Sequence, residues 1–254
     1  MSGAGNSRTQ AMKPIVGHAR TEASFQTRDL FVERLRAVGH LQGTRMLDVG
    51  CGDGTFTIPL GEKFREVYGI DVQESNIEAF RRKLASDSKY KPSLQSATRI
   101  NFPNAHFESI VSIETFEHID DPAKAAEECW RVLSPGGELL ITVPNRWFPC
   151  ENHGGIVFGH RFGRLPLITY LPPVHNAVSD ARVFTVRALD RLFSRYGFKR
   201  TEVSWLWPTF EHLGNPIQPY IRRLFPLMRR LERGPVAFLG TSIVARFVKP
   251  LIGR

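Results

Sequence analysis

The stretch M-L-D-V-G-C-G-D-G-T-F, Met46 to Phe56, decides how this chain is read. It begins within a short apolar run, Arg45–Val49, and leads into a segment able to form a helix, so a glycine-rich turn joins a buried strand to a helix. Gly50, Gly52 and Gly54 carry no Cβ, which lets a ligand approach the backbone and opens dihedrals closed to other residues. A nucleotide-like ligand is expected there. In the dinucleotide fingerprint a third glycine stands three residues after the second, but here that place is Thr55 and the spacing is G-x-G-x-G. Asp48 at the strand end and Asp53 in the loop would repel a pyrophosphate, whereas both suit a ligand that brings an ammonium and a sulfonium. Asp71 closes the next strand, where its carboxylate can accept hydrogen bonds from both hydroxyls of a ribose.

Working outward, residues 27–41 place Leu30, Phe31, Leu35, Val38 and Leu41 at helical spacing before the strand. After the loop, Thr55–Phe64 is expected as a helix despite Pro59, and E-V-Y-G-I-D-V, Glu66–Val72, as the second strand. The alternation continues with a helix at Ser75–Ala85, strands at Ser93–Ala97 and Ser109–Ile113, and a helix at Pro122–Leu133. A fifth strand, Glu138–Val143, is entered through Ser134-Pro135-Gly136-Gly137, and a helix at Thr185–Tyr196 and strands at Phe198–Leu206 and Ser242–Val248 complete the pattern. Such alternation means an α/β fold with a mostly parallel, doubly wound, Rossmann-like sheet covered by helices on both faces. Ligands in these sheets sit beyond the carboxyl ends of the strands, so the loops after the first four strands are the place to look.

The 254 residues, 42% of them hydrophobic, suffice for one large domain with a sizeable core, read as 24–254 behind a polar arm at 1–23. The arm lacks the apolar centre of a secretory signal, and no apolar run is long enough to cross a membrane, so a cytoplasmic chain is expected. Cys51, Cys129 and Cys150 are odd in number and far apart, which argues against a disulfide framework and a structural zinc site. The formal charge of +9 is concentrated at the C-terminus, where residues 208–254 hold eight Arg or Lys against Glu211 and Glu232. That bias suits an anionic partner, such as a phosphorylated or lipid substrate, a membrane surface or nucleic acid, with a solvated basic face as the commoner explanation, and says nothing of fold.

Taken in order, L-D-V-G-C-G-D-G, G-I-D-V, E-H-I-D-D-P, R-V-L-S-P-G-G and I-T-V-P-N resemble the successive motifs of class I methyltransferases dependent on S-adenosylmethionine (SAM), of the methyltransferase type 11 kind. The resemblance covers 46–145 well and the last two strands loosely. It implies a seven-stranded sheet with SAM as methyl donor. Asp48, Gly50, Cys51 and Gly52 would surround the methionine part, Asp71 and Val72 would hold ribose and adenine, and Ile113 would sit beside the sulfur. The family's adenine-binding acid after the third strand is replaced here near Ser96 and Ala97.

In S-I-E-T-F-E-H-I-D-D-P, Glu114, Glu117 and His118 stand at i, i+3 and i+4, so one helical turn would bring them to one side of the ligand-facing end of the fourth strand. Three readings are open: a general base centred on His118 with Glu117, a hard-metal site of Glu114, Glu117 and His118 for a divalent cation such as Mg²⁺, and a structural pair capping the turn. The E-x-x-E-H pattern also resembles quinone-biosynthetic O-methyltransferases, in which these positions are associated with a divalent cation and a catechol-like substrate.

Two inserts interrupt the alternation. Residues 146–180, after the fifth strand, mix aromatics with His, Glu and Arg in flexible backbone and suit an acceptor pocket, with His153, Glu151, His160 and Arg161 to orient or deprotonate a hydroxyl and Trp147, Phe148 and Phe162 to stack or exclude water. Residues 208–235, before the last strand, form a basic helical insert whose apolar positions over 217–233 could lie on an anionic membrane or pack on the domain. The expected activity is methyl transfer to a small-molecule or lipid-like acceptor, at oxygen. The rivals are a SAM-dependent enzyme acting on RNA, disfavoured because no RNA-binding module accompanies the arginines, and a SAM- or nucleotide-binding protein without catalysis.

Overall fold

The computed structural model describes residues 24–84, 89–151, 155–157, 160–162, 165–171, 173–175, 179, 181–208, 223, 227, 230–232 and 234–251. Helix α1 (Ser24–Val38) precedes strand β1 (Gly43–Val49), and a four-residue helix α2 (Thr57–Leu60) leads to β2 (Phe64–Asp71). Then come α3 (Glu74–Leu84), β3 (Tyr90–Leu94), β4 (Phe107–Ile113), α4 (Pro122–Val132) and β5 (Leu133–Pro144). The first insert holds four short strands, β6 (Cys150–Glu151), β7 (Gly155–Val157), β8 (His160–Phe162) and β9 (Leu165–Pro166). Helix α5 (Val186–Ser194), β10 (Lys199–Leu206) and β11 (Ser242–Val248) close the chain.

The main sheet runs β10-β11-β5-β4-β1-β2-β3, with β1, β2, β3, β4 and β5 parallel and β11 antiparallel between β5 and β10. The expected seven-stranded, doubly wound sheet is present. Along the central strands alternate side chains feed two cores. Leu47, Val49, Ile110, Leu139 and Ile141 pack with Ala125, Cys129 and Val132 of α4 and Leu189 and Phe193 of α5. Met46, Val67, Val111, Leu140 and Val244 pack on the opposite face with Phe31, Val32 and Leu35 of α1. A strand covered on both faces has no polar side to show, which is why these segments read as near-continuous apolar runs.

Helix boundaries follow local chemistry. The side chain of Asp121 accepts from Lys124 N at 2.9 Å and Pro122 takes the first turn of α4, while Thr185 accepts from Ala188 N at the start of α5. At the far end of α4 the buried Lys249 donates to the carbonyls of Trp130 and Leu133, each at 2.7 Å, with its ammonium 4.7 Å from the Trp130 ring.

Three expectations need correction. The helix foreseen over Thr55–Phe64 shrinks to Thr57–Leu60, because Gly61 ends it and Phe64 already belongs to β2. The third strand lies at Tyr90–Leu94, upstream of Ser93–Ala97. It is an edge strand pairing only with β2, so it needs no apolar pattern and tolerates Pro92. The turn foreseen at Ser134–Gly137 is part of β5, which starts at Leu133 and makes its irregular step against Phe107 and Ser109 of β4. The arm at 1–23 and most of 208–235 lie outside the described residues.

The sheet's ligand-facing edge is tied to the C-terminal segment through Asn145, which is buried. Its Nδ2 donates to the carbonyls of Phe238 and Gly240, each at 2.6 Å, and its Oδ1 accepts from Trp147 N at 3.2 Å. Asn145→Ala should therefore strand three backbone groups and cost about 2–4 kcal/mol in equilibrium denaturation by guanidinium chloride; a loss below about 1 kcal/mol would show that the tie is dispensable.

Candidate functional site

The loop after β1 is anchored from below. Gly50 N and Cys51 N both donate to the carbonyl of Ile70, at 2.8 and 3.0 Å, which extends the β1–β2 pairing past the strand end. The chain then turns through three left-handed glycines, with φ of 81° at Gly50, 53° at Gly52 and 78° at Gly54. Two of the three are also closed to a side chain by neighbours. A Cβ on Gly50 would lie 2.2 Å from Thr115 Oγ1, and one on Gly54 2.2 Å from the Phe80 ring. Gly52 differs, since a Cβ there would meet nothing within 4 Å. Its bare backbone faces open space, the property a loop needs where a ligand lies against it.

Four acidic or thiol groups ring this loop. The Asp48 carboxyl is 2% exposed, and its Oδ2 accepts from Thr57 Oγ1 at 2.6 Å. Burial pushes it up to about 7, against the lowering effect of the Thr57 hydrogen bond, with the negative charge of Asp71 adding to the rise. Asp71 accepts from Gly52 N (3.0 Å) on one oxygen and from Gln73 N (2.8 Å) and Asn76 Nδ2 (3.2 Å) on the other. It is half-buried, and a carboxylate offers about four acceptor positions, so an acceptor remains for a hydroxyl. Asp53 is only half-buried; burial works to raise it, but hydrogen bonds from Lys83 Nζ (2.6 Å) and Thr55 hold it below the usual carboxylate range. The Cys51 thiol, buried beside Asp48 and Asp71, is pushed far up and is no nucleophile at neutral pH.

Beyond Asp71, Val72 is 56% exposed, an apolar platform at the strand's end. Ser96 and Ala97 follow β3 in a tight turn, with Ser96 Oγ 2.8 Å from Thr98 Oγ1 and Ala97 packed into the core. Ile113 ends β4 as a buried residue of the α1 face. The candidates Asp48, Gly50, Cys51, Gly52, Asp71, Val72 and Ile113 thus lie at the carboxyl ends of β1, β2 and β4, three adjacent strands.

The Glu-Glu-His cluster is not built as foreseen. Glu114 sits just past β4 in left-handed backbone, φ 47°, with its N–H on the Thr142 carbonyl, and a 3₁₀ turn at Phe116–His118 replaces the helical turn. Glu117 is turned inward and 1% exposed, whereas the side chain of His118 is 28% exposed, its Nε2 3.9 Å from Glu117 Oε1. Burial, reinforced by the charge of Glu114, drives the Glu117 carboxyl well above its ordinary value and favours its protonated form. Among the described residues no three His, Cys, Asp or Glu side chains gather to hold a metal ion. Glu114, Glu117 and His118, the set expected to hold a divalent cation such as Mg²⁺, stand at this one turn, with Glu117 buried and His118 partly exposed.

A strap crosses the carboxyl ends of β4 and β5. Phe184 bridges to Asn145, exchanging hydrogen bonds with Pro144 and Arg146, and Arg182 N donates to the Glu117 carbonyl at 3.1 Å while its guanidinium reaches the carbonyls of Ile119 and Asp120. Residues 182–184 therefore span from the β4 turn to the end of β5. Beside them, Tyr170 donates its hydroxyl to the Trp147 carbonyl at 2.9 Å, and Leu167, at φ 61°, is 60% exposed. His153 lies outside the described residues, and the side chains of Glu151, His160, Arg161 and Phe162 are likewise not described. The reading of the sequence missed Thr57, Asn76, Thr115, Thr142 and the strap residues Arg182 and Phe184. Thr115, Thr142, Arg182 and Phe184 act through contacts distant in sequence, and Thr57 and Asn76, though near Asp48 and Asp71 along the chain, stand in no pattern that singles them out.

With this geometry in view, residues 47–141 match the family described as Methyltransferase domain. The ubiquinone biosynthesis O-methyltransferase of Alkalilimnicola ehrlichii is 30% identical over 114 residues, 44% of this chain and 46% of that protein. The mitochondrial enzyme of the same description from Rattus norvegicus is 35% identical over 111 residues, 42% of this chain and 32% of that protein. The chain spans at most about half the length of the curated relatives it matches. Among solved structures, a SAM-dependent methyltransferase from Mesorhizobium loti superposes with a TM-score of 0.61 at 19% identity, covering 85% of this chain and 95% of that one. The cyclase SpnF superposes with a TM-score of 0.60 at 19% identity, covering 89% and 83%. At these identities the structural likeness speaks for the fold alone.

The raised Asp48 carboxyl has a consequence for stability. Its folded value of about 7 lies above the ordinary 3.8, so its protonated form contributes stability that is complete below pH ~4 and lost as pH rises through 7, on the order of 4 kcal/mol in all. Asp48→Asn, neutral throughout, should raise the melting temperature of the ligand-free protein at pH 8 by at least about 3 °C and change it little at pH 4.5. Equal effects at both pH values in differential scanning calorimetry would contradict the assigned burial of charge.

Proposed function

We propose that this chain, which carries a methyltransferase domain over residues 47–141, transfers the methyl group of SAM to an oxygen of a small-molecule or lipid-like acceptor. The observation that carries the reading is the glycine-lined loop ringed by Asp48, Asp53 and Asp71 at the carboxyl ends of β1 and β2, a cradle suited to a cationic nucleoside. Asp48, Gly50, Cys51 and Gly52 would hold the methionine part, Asp71 the ribose, Val72 with Ser96 and Ala97 the adenine, and Ile113 the region of the sulfur. When bound, SAM supplies a methyl group on a positively charged sulfur, an activated centre for in-line attack.

What the protein adds is alignment, water exclusion and a proton acceptor. The partly exposed His118, at the β4 end, is the group we assign to take the acceptor's proton, and the buried Glu117 beside it orients the turn that carries it. His153 is a further candidate on the acceptor side. The 182–184 strap, which joins the turn after β4 to the end of β5, would cover the reacting groups. No step is routed through a divalent cation. Oxygen as the accepting atom is supported by the relatives named O-methyltransferases, and a lipid-like acceptor by the exposed Trp147, Leu167, Tyr170 and Leu171. Arg223 and Arg230, both exposed in the helical part of 217–233, support peripheral contact with an anionic membrane. No helix among the described residues is long and apolar enough to cross one. We take 24–254 as one domain working in the cytoplasm.

Calorimetric titration should show SAM binding that NAD cannot displace and that Asp71→Ala weakens at least about tenfold; folded protein that binds no SAM would sink the reading. In a methyl-transfer screen over phenols and catechols with and without alkyl tails, His118→Ala should lower kcat by about 10²–10⁴ while leaving SAM affinity unchanged. An unaltered kcat would remove His118 from the reaction.

A further inference from the structure

The turn that carries His118 owes its shape to one residue of the strap. His118 N donates to the Thr115 carbonyl at 2.9 Å, which closes the 3₁₀ turn, and the chain leaves it in extended backbone at Ile119. A helical turn that ends in this way has no partners of its own for its last carbonyls. Arg182 takes three of them. Its N–H donates to the Glu117 carbonyl at 3.1 Å, its Nη1 to the Ile119 carbonyl and its Nη2 to the Asp120 carbonyl at 3.2 Å. The carbonyls on either side of His118 are therefore held by the same residue, and a planar guanidinium fixes the spacing between its acceptors as an ammonium does not.

Arg182 is itself fixed along the chain. Phe184 is buried in the core with Leu189 and Phe193, and it exchanges hydrogen bonds with Pro144 and Arg146 at the end of β5. Upstream, Ala181 is buried and its N–H donates to Ser179 Oγ, so Arg182 stands where residues 146–180 rejoin the sheet. Its side chain is exposed, and water can serve the same carbonyls. Stability is thus a weak reason for the arrangement. What water cannot supply is a fixed distance between the strap and the turn.

We propose that Arg182 is a positioning residue for methyl transfer, which brackets His118 from both sides and ties its placement to the point where the acceptor insert rejoins the sheet. The inference rests on the reading of His118 as the group that takes the acceptor's proton. Arg182 itself exchanges no proton and touches no reacting atom. With the carbonyls of residues 117 and 119 held, the backbone of His118 cannot swing and its imidazole keeps one approach to the acceptor. A displacement of about 1 Å at such a group costs about a hundredfold in rate, so loss of the guanidinium is felt in kcat. The glycine loop takes part in none of these bonds, so the cofactor's affinity is spared.

The test is a double-mutant cycle of Arg182→Met and His118→Ala in the full chain, with SAM and catechol as probes. Arg182→Met should lower kcat about tenfold to a hundredfold, leave the dissociation constant of SAM within about twofold, and add almost nothing in the His118→Ala background. Arg182→Lys should recover part of the loss. An equal loss in both backgrounds, or an unchanged kcat in Arg182→Met, would overturn the proposal. Should catechol not be turned over, nuclear magnetic resonance of the histidine side chains decides, with the His118 signal assigned by its absence in His118→Ala. In Arg182→Met that signal should shift or broaden while those of His40 and His106, at the opposite end of the sheet, stay in place. Coincident spectra, or a disturbance that reaches His40 and His106, overturn the proposal as well. A kcat that His118→Ala leaves unaltered is a separate result, removing His118 from the reaction and this inference with it.

Discussion

One carbonyl oxygen, that of Ile70, receives both Gly50 N–H and Cys51 N–H. This shared acceptor is the last rung of the β1–β2 ladder, and it sets where the loop leaves the sheet. From there the three left-handed glycines follow of necessity: Thr115 and Phe80 press on Gly50 and Gly54 from either side, and only Gly52 opens outward. Asp71, one residue beyond Ile70, is delivered by the same strand to meet Gly52 N. A single parallel pairing thus fixes the loop, the open backbone and the acid that faces it, and it does so with hydrogen bonds that cost no side chain.

The fold was legible wherever burial on both faces wrote an apolar run. β1, β2, β4 and β11 fall within two residues of their expected bounds, and α4 announces itself through Asp121 and Pro122. It was illegible at the edge of the sheet. β3 is polar and contains a proline, because one neighbour and one covered side demand little of it. At the site, the glycines and the two strand-end acids could be read because their roles are local. At the Glu-Glu-His cluster the helical spacing gave way to a left-handed residue and a 3₁₀ turn, which send Glu117 inward and leave His118 partly exposed. The strap could not be foreseen at all, since Arg182 meets Glu117, and Phe184 meets Asn145, only through backbone groups that any residue carries.

A sheet of this kind hosts more than one chemistry, as the superposition on a cyclase makes plain. What argues for a particular ligand is therefore electrostatic: Asp48 and Asp71, neither of them ion-paired among the described residues, stand beside a loop built for close approach. Burying the Asp48 carboxyl is costly, and its raised value records that cost.

The antiparallel strand β11 has a bearing on how the protein is made. It lies between β5 and β10, so until residues 242–248 have been synthesised β5 keeps an open edge and β10 lacks its partner. About a hundred residues separate the completion of β5 from that of β11, which at bacterial and eukaryotic translation rates is about 5–20 s of exposed, apolar strand edge on the ribosome. An open edge of this kind calls for shielding, and the time for which it stays open is set by how fast residues 145–248 are read.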